Sequence, residues 1–447
     1  MSILTKVEAK GWRGRLFLGG VTLALIIGGA TMLYPFLLMV SGAMRSDMDS
    51  SDMSLVPKFF VDDSELTRKF LETKYNYDPV LMNRYHQGQD YSFRDSSIPA
   101  TIHDAAVKDL RSFFEETTLP DHWQVLGGTE LRLGISCENH TRLVEKLRQR
   151  YHEDLHTFNA ELGAPLGSWW QVSMRLPRWE ESRTTMTRNG LLEAYFELMR
   201  ESDPSERGLV NLTGLFLERL IYPVYGQSKF ENFQEATQLP IGSYGEFRLS
   251  RRVPPVEQKI LRDDWVKFVL DDNVNLSFVR SDASHEQYRE FLRRRFKTVE
   301  NLLRYWHREN YTSFDEIELP PDHAWIPDYQ RDAYKAFLAE LPLESLRLVG
   351  PEFAWQDYLR NKYGDVDRAA AAHGVDVNDW SEFKVPLLEL ETQAVFGQTR
   401  ELRRRYALRN FRVVLRQMFV QGRPFLNTMI YVSLALLFSL TLQPLVA

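Results

Sequence analysis

Cysteine is almost missing: Cys137 is the single thiol in 447 residues, so no intrachain disulfide can form. Any folded domain must be held by packing, and a chain this long buries a substantial core without covalent staples. Cys137 itself reads as a small apolar residue destined for the interior. Also missing are a Gly-rich phosphate loop, a Gly-x-Ser-x-Gly elbow, a His-Glu-x-x-His pair and a CxxC spacing. Those absences remove the usual sequence signs of nucleotide binding, serine hydrolysis and zinc chemistry. His152 and His156 stand four apart, the spacing of one helical face, but no third ligand lies near them in sequence. No catalytic residue, metal or cofactor is expected.

Charge is unevenly spread. Every acidic residue except Glu8 and Glu401 falls between Ser46 and Thr399, whereas eight arginines crowd Arg400 to Arg423. The long central region is therefore acidic, a poor match for a nucleic-acid backbone, which rewards clustered Lys and Arg. Nucleic acid is excluded as an expected partner.

Two apolar runs interrupt this polar chain, 16–40 and 425–447, and neither contains Asp, Glu, Lys or Arg. A hydrocarbon core of roughly 30 Å needs about 20 helical residues, so each run is long enough to span it. The first exceeds the roughly 7–15 apolar residues of a cleavable signal peptide and continues through Tyr34 to Val40, which reads as a retained span. Lys6, Lys10, Arg13 and Arg15 precede it and only Arg45 closely follows, placing residues 1–15 in the cytoplasm and 46–399 outside.

Within that insert a hexapeptide frame recurs: Phe70 to Tyr75, Phe291 to Phe296 and Tyr358 to Tyr363 each read aromatic, Leu, two variable positions, base, aromatic. Lys146 to Tyr151 keeps the frame without the first aromatic. Each is followed by a short helical pattern and a β-like stretch closed by proline, as in Tyr91 to Pro99, Thr312 to Pro320 and Trp380 to Pro386. The spacing predicts four or five degenerate helix-helix-strand units. Leu292, Phe296, Val299, Leu302, Leu303 and Trp306 are expected to form one apolar helical face, and Leu276 to Val279 and Leu346 to Gly350 short buried strands. The expected fold is mainly α, two transmembrane helices flanking an α-rich extracytoplasmic domain, with an α+β ectodomain as the alternative.

Phe291 to Pro320 weakly resembles helical segments of beta-galactosidase-like glycoside hydrolases. Such enzymes need two carboxylates across the scissile bond. Glu352 and Glu138 are conceivable acids, yet nothing in the sequence pairs them. Trp169, Trp170 and Trp179 surround a turn-rich stretch, Gly163 to Ser168, and are candidates for stacking on a substrate; core packing or bilayer contact is the competing reading.

The segment 400–424 is basic and amphipathic, with Leu408, Phe411, Val414, Leu415 and Met418 at helical spacing. Arg403, Arg404, Arg405, Arg409, Arg412 and Arg416 are expected to meet lipid headgroups at the membrane surface. Here the chain resembles the maltose-type carbohydrate ABC transporter permeases. Tyr34-Pro35-Phe36 through Ser41 and Arg45 looks like the end of their first transmembrane helix. Asn410-Phe411-Arg412, followed by Gly422 to Thr428, is similar to the approach to their second. The resemblance covers about 80 residues at the two ends. It implies a multi-pass permease component of the bacterial inner membrane, with a very large insertion between helices one and two. Implied partners are the remaining permease half or a second permease subunit, ATP-binding subunits acting indirectly, an extracytoplasmic solute-binding protein and membrane lipid. The family's coupling loop has no counterpart, so the sequence is expected to be the N-terminal part of a truncated or split permease. Two other readings remain, an anchored ligand-binding or sensor ectodomain and a membrane-tethered glycosidase.

Overall fold

The computed structural model describes residues 12–131, 137–308, 311–416, 418–419 and 424–446. It is mainly α, with 63% helix and 3% strand. Two compact units divide the chain, Met1–Lys69 with Gln398–Ala447, and Phe70–Gly397.

The first unit begins with α1 (Trp12–Ala43), which continues through Pro35. Its stretch Arg15–Ala43 is the one described segment long and apolar enough to cross a membrane, and its most apolar part is not buried in protein. Apolar side chains left uncovered along a whole helix are the condition that lipid satisfies.

Phe70–Gly397 is built from five related runs among the described residues. The first holds the end of α2 (Asp63–Lys74), α3 (Pro79–His86), a 3₁₀ turn Phe93–Asp95, α4 (Asp104–Glu116), a turn Asp121–Trp123 and β1 (Gln124–Leu126). The second repeats that order with α5 (Glu138–Arg150), α6 (Leu155–Leu162), Trp169–Gln171, α7 (Gly190–Glu201), Pro204–Glu206 and β2 (Arg207–Leu209). In the third, the leading helix is split into α8 (Leu212–Phe216), a π-helical turn Leu217–Ile221 and α9 (Tyr222–Tyr225). α10 (Phe230–Thr237), Tyr244–Glu246, α11 (Lys259–Leu270), Leu276–Phe278 and β3 (Val279–Ser281) complete it. The fourth has α12 (His285–Phe296), α13 (Val299–Trp306), Phe314–Glu316, α14 (Asp328–Glu340), Leu343–Ser345 and β4 (Leu346–Leu348). The fifth has α15 (Pro351–Tyr363), α16 (Val366–His373), Trp380–Glu382 and α17 (Leu387–Gly397).

Local chemistry sets these bounds. Asp78, Asp154, Thr298 and Asp365 cap the short helices α3, α6, α13 and α16 by accepting from their first-turn amides. Left-handed residues end the same helices, Gln87, Gly163, His307 and Gly374. The expected continuous face from Leu292 to Trp306 is consequently broken: Lys297, at φ 67°, ends α12 and Thr298 starts α13. Leu292, Val299, Leu302 and Trp306 are buried all the same.

The strands lie only in part where expected: β4 falls inside the expected Leu346 to Gly350, whereas the proline-closed stretches do not form strands. These stretches form 3₁₀ turns: Ser92 and Ser313 precede the buried Phe93 and Phe314, Asp379 precedes the half-buried Trp380, and Ser168 and Ser243 precede the buried Trp169 and Tyr244 in two similar turns. The true strands precede the next leading helix and pair antiparallel, β1 with β2 (Val125 opposite Gly208) and β3 with β4 (Arg280 opposite Arg347). Leu276–Phe278 is a 3₁₀ turn feeding β3. His152 and His156 share no helical face, because α5 ends at Arg150 and α6 starts at Leu155.

The last run packs against the first. Val107, Leu110 and Phe113 of α4 meet Trp355 and Leu359 of α15, Ala369 of α16 and Leu390 of α17 in one buried cluster. Each valine, leucine or phenylalanine among them contributes about 1.5–3 kcal/mol by leaving water. Asp109 on α4 reinforces the join, bonding Lys362 at 2.6 Å, Tyr363 at 2.6 Å and His373 at 3.0 Å.

The first unit resumes with α18 (Thr399–Arg416) and α19 (Pro424–Val446). α19 carries a shorter apolar stretch, Phe425–Thr441, among the described residues. The Asn410 side-chain amide donates to the Ala43 and Arg45 carbonyls at 2.9 and 3.0 Å. The first of these bonds satisfies an acceptor that the end of α1 would otherwise leave open.

Candidate functional site

Besides the Asp109 join, two further clusters of buried charge stand out among the described residues of Phe70–Gly397, and the last turn of α3 serves both. Asp78 accepts from the Val80 and Leu81 amides at 3.0 and 3.3 Å, and Pro79 fits the first turn, so α3 starts at a fixed point. Its last turn then presents Arg84, Tyr85 and His86 to the interior.

The first cluster centres on Glu391 of α17. The Lys74 ammonium spends its three donors on Glu391 Oε1, the Ser205 carbonyl at 2.8 Å and the Arg207 carbonyl at 2.7 Å. The Tyr75 hydroxyl donates to Glu391 Oε1 at 2.7 Å, and His86 Nε2 stands 2.9 Å from Oε2. Burial alone would raise the Glu391 pKa, but His86 and Lys74 outweigh it and hold the carboxyl at about 2. Burial lowers the Lys74 pKa in spite of Glu391, so the pair stabilises less than the carboxylate alone implies.

The second cluster centres on Arg84. Its Nε and Nη2 bond Glu218 at 2.8 Å each, its Nη1 bonds Glu180 at 2.6 Å, and Nη2 also bonds Glu181 at 3.0 Å. Burial would weaken this charge, yet Glu180 and Glu218 raise the guanidinium pKa above its ordinary value. Burial pushes Glu180 up, whereas Arg84 and Arg178 bring Glu181 down against its own burial. Glu218 sits on the π turn. Pro223, on α9, has no amide hydrogen for the Arg219 carbonyl four residues back and would clash with it, which favours a widened turn there.

This second cluster opens outward. Glu181 also pairs with Arg178 and Arg219, at 3.3 Å each. Arg219, beside Glu218 on the π turn, lines a cleft of about 800 Å³, inside the roughly 300–1,000 Å³ range of small-molecule sites. Glu181, Ser182 and Arg183 form one edge, Asp271, Asp272 and Asn273 after α11 another, and Arg331, Asp332 and Lys335 of α14 a third. The edges are fixed: the Asn275 side chain donates to the Glu181 and Thr184 carbonyls at 3.2 and 3.0 Å, and Lys335 pairs with Asp272 at 2.7 Å.

None of the three candidate tryptophans lines this cleft. Trp179 is buried, donates its indole N–H to the Gln124 carbonyl at 3.1 Å and packs on Phe196 and Trp325. Trp169 packs on Tyr151 and Phe158, and Trp170 is half-buried. Glu352 is buried beside Thr213, its carboxyl pushed by burial up to about 7, and Glu138 is exposed in the first turn of α5. Neither lines the cleft. Buried His122, held at about 3 by burial, packs on Phe278 and Trp325.

The arginines of α18 divide. Arg403 bonds Asp63 and the Phe59 carbonyl, Arg405 pairs with Glu401 at 3.5 Å, and buried Arg409 lies over the Tyr406 ring. Arg404 and Arg412 are exposed, Arg416 half-buried, and Leu408, Val414, Leu415 and Met418 are exposed beside them.

The residues that build the cleft escaped sequence reasoning. Their nearest signal was the dense charge of Arg178 to Arg183 just after Pro177. Among the described residues no group of His, Cys, Asp and Glu is arranged to hold a metal ion. No protein-family model, curated protein sequence or solved structure matches this chain.

Proposed function

We propose that this chain is the membrane-anchored, solute-contacting component of a transport assembly of the carbohydrate-permease type, with Phe70–Gly397 outside the cytoplasm. The observation that carries the reading is the pre-ordered cleft, whose charged rim is fixed by Arg84, Asn275 and Lys335 before any ligand arrives. α1 supplies a membrane span, and α19 would be a second one. The bond from Asn410 to Ala43 and Arg45 supports the permease side, because it ties together the two segments on which the resemblance rests. The role is binding and positioning of a solute, not its chemical conversion.

A second reading, an anchored binding domain without transport, is favoured by α1 alone, which suffices to hold a domain at a bilayer. Affinity purification of the full chain from its native membrane separates them. Recovery with further permease helices and ATP-binding subunits supports transport. Recovery alone, with solute uptake unchanged when the gene is deleted, sinks it. Protease accessibility of Phe70–Gly397 from outside intact cells tests the orientation, and protection there would overturn it.

A further inference from the structure

We infer that the cleft recognises a small polar zwitterion, a solute bearing both a carboxylate and an ammonium group, such as a free amino acid or short peptide. This rests on the cleft being the solute site proposed above. Among the described residues no apolar or aromatic side chain lines it. That removes the stacking face on which a sugar ring is usually held and the wall an apolar ligand needs.

Two of its charged pairs are already closed, Arg219 with Glu181 and Lys335 with Asp272, and Arg331 is held by Asp328 at 2.7 Å. Three lining charges remain without an ion pair among the described residues, Arg183, Asp271 and Asp332. Arg183 offers a planar fork of donors suited to a carboxylate. Asp271 and Asp332 offer only acceptors, which an ammonium with its three donors satisfies. A simple anion would meet Arg183 but face two aspartates, and a simple cation would face the reverse. A neutral polyol could hydrogen-bond both signs through its hydroxyls but brings no charge to neutralise either. The zwitterion complements both.

The test is isothermal titration of the full chain in lipid nanodiscs with three probes, glycylglycine, maltose and inorganic phosphate, and with acetyl-glycylglycine-amide as a charge-blocked control. Glycylglycine is expected to bind saturably and the blocked form not to bind. Arg183→Gln and the pair Asp271→Asn with Asp332→Asn should each weaken binding about tenfold or more, and melting curves check that the variants fold. Equal binding of free and blocked peptide overturns the inference. So does binding of maltose or phosphate without glycylglycine; if that binding falls on substitution of Arg183, the cleft survives as the solute site. Absence of binding by all three probes overturns the inference. Binding of some other solute that no cleft substitution alters overturns the site itself.

Discussion

The Glu391 and Arg84 clusters are both buried, both charged and both reached from the last turn of α3, yet one is sealed and the other is not. Every donor of Lys74 ends on an acceptor inside the protein, and Glu391 is fully covered. Around Arg84, the Glu218 side chain is 30% exposed and that of Arg219, its neighbour on the π turn, 44%. A sealed cluster joins the first run to the last; an open one passes its order to a surface. Buried charge by itself is weak evidence of either stability or function. What separates the two is whether the network ends in the core or at a cleft.

The comparison breaks most visibly at Glu391. Glu391→Gln keeps the shape but leaves Lys74 buried without a counter-charge, and should cost about 3–5 kcal/mol. The expected readout is a large fall in the unfolding midpoint, with ligand affinity unchanged below it. A variant that melts as the parent does would show that this cluster joins nothing.

Acid should expose the same asymmetry. The Glu391 carboxyl sits at about 2 in the folded chain against 4.5 ordinarily, so its stabilisation is complete above about 4.5 and is lost as pH falls towards 2. The loss is on the order of 3 kcal/mol. Glu180 runs the other way: burial raises its pKa, so its contribution is largest when protonated and declines as pH rises through the folded value. Chemical denaturation between pH 6 and about 3 should show stability falling with acid, and the slope should flatten in Glu391→Gln. Equal slopes in the two proteins would remove Glu391 from the acid response.

Arg84→Lys tests the open cluster with its charge retained. An ammonium lacks the fork that holds Glu218 through two bonds while reaching Glu180 and Glu181. A loss of about 2 kcal/mol is expected, together with weaker solute binding, because Glu181 and the π turn lose their anchor. Destabilisation with full affinity would cut the link between clamp and cleft.

Much of the helical frame was legible because one position repeats. The leucines of the hexapeptide frames, Leu71, Leu147, Leu292 and Leu359, are all fully buried near the ends of leading helices, where the apolar period had placed them. Leu346 to Gly350 was legible as a strand and holds β4, but β1 and β2 were not legible, because at three residues each they are too short to show alternation. The 3₁₀ turns imitate them with a serine and an aromatic before proline. The charge clusters were invisible because tertiary packing makes them. Glu391 meets Lys74 across more than three hundred residues, and Glu218 meets Arg84 across 134. The Trp169 to Trp179 stretch runs up to the cleft in sequence without lining it. Indoles there fill the core, and Glu181 and Arg183 just beyond them line the cleft.

Arg219→Ala carries the smallest expected change in stability and the sharpest division between the clusters. Arg219 is exposed and its pair with Glu181 spans 3.3 Å, so its loss should shift stability by about 0.5 kcal/mol or less. The same change uncovers one oxygen of Glu181 on the cleft wall and removes a cation from a rim that otherwise balances acids with bases. Glycylglycine affinity should therefore fall while the melting midpoint stays within a degree or two of the parent's. A midpoint shift approaching that of Glu391→Gln would mean that Arg219 holds the fold as Glu391 does. The distinction between a sealed and an open cluster would then have no consequence for function.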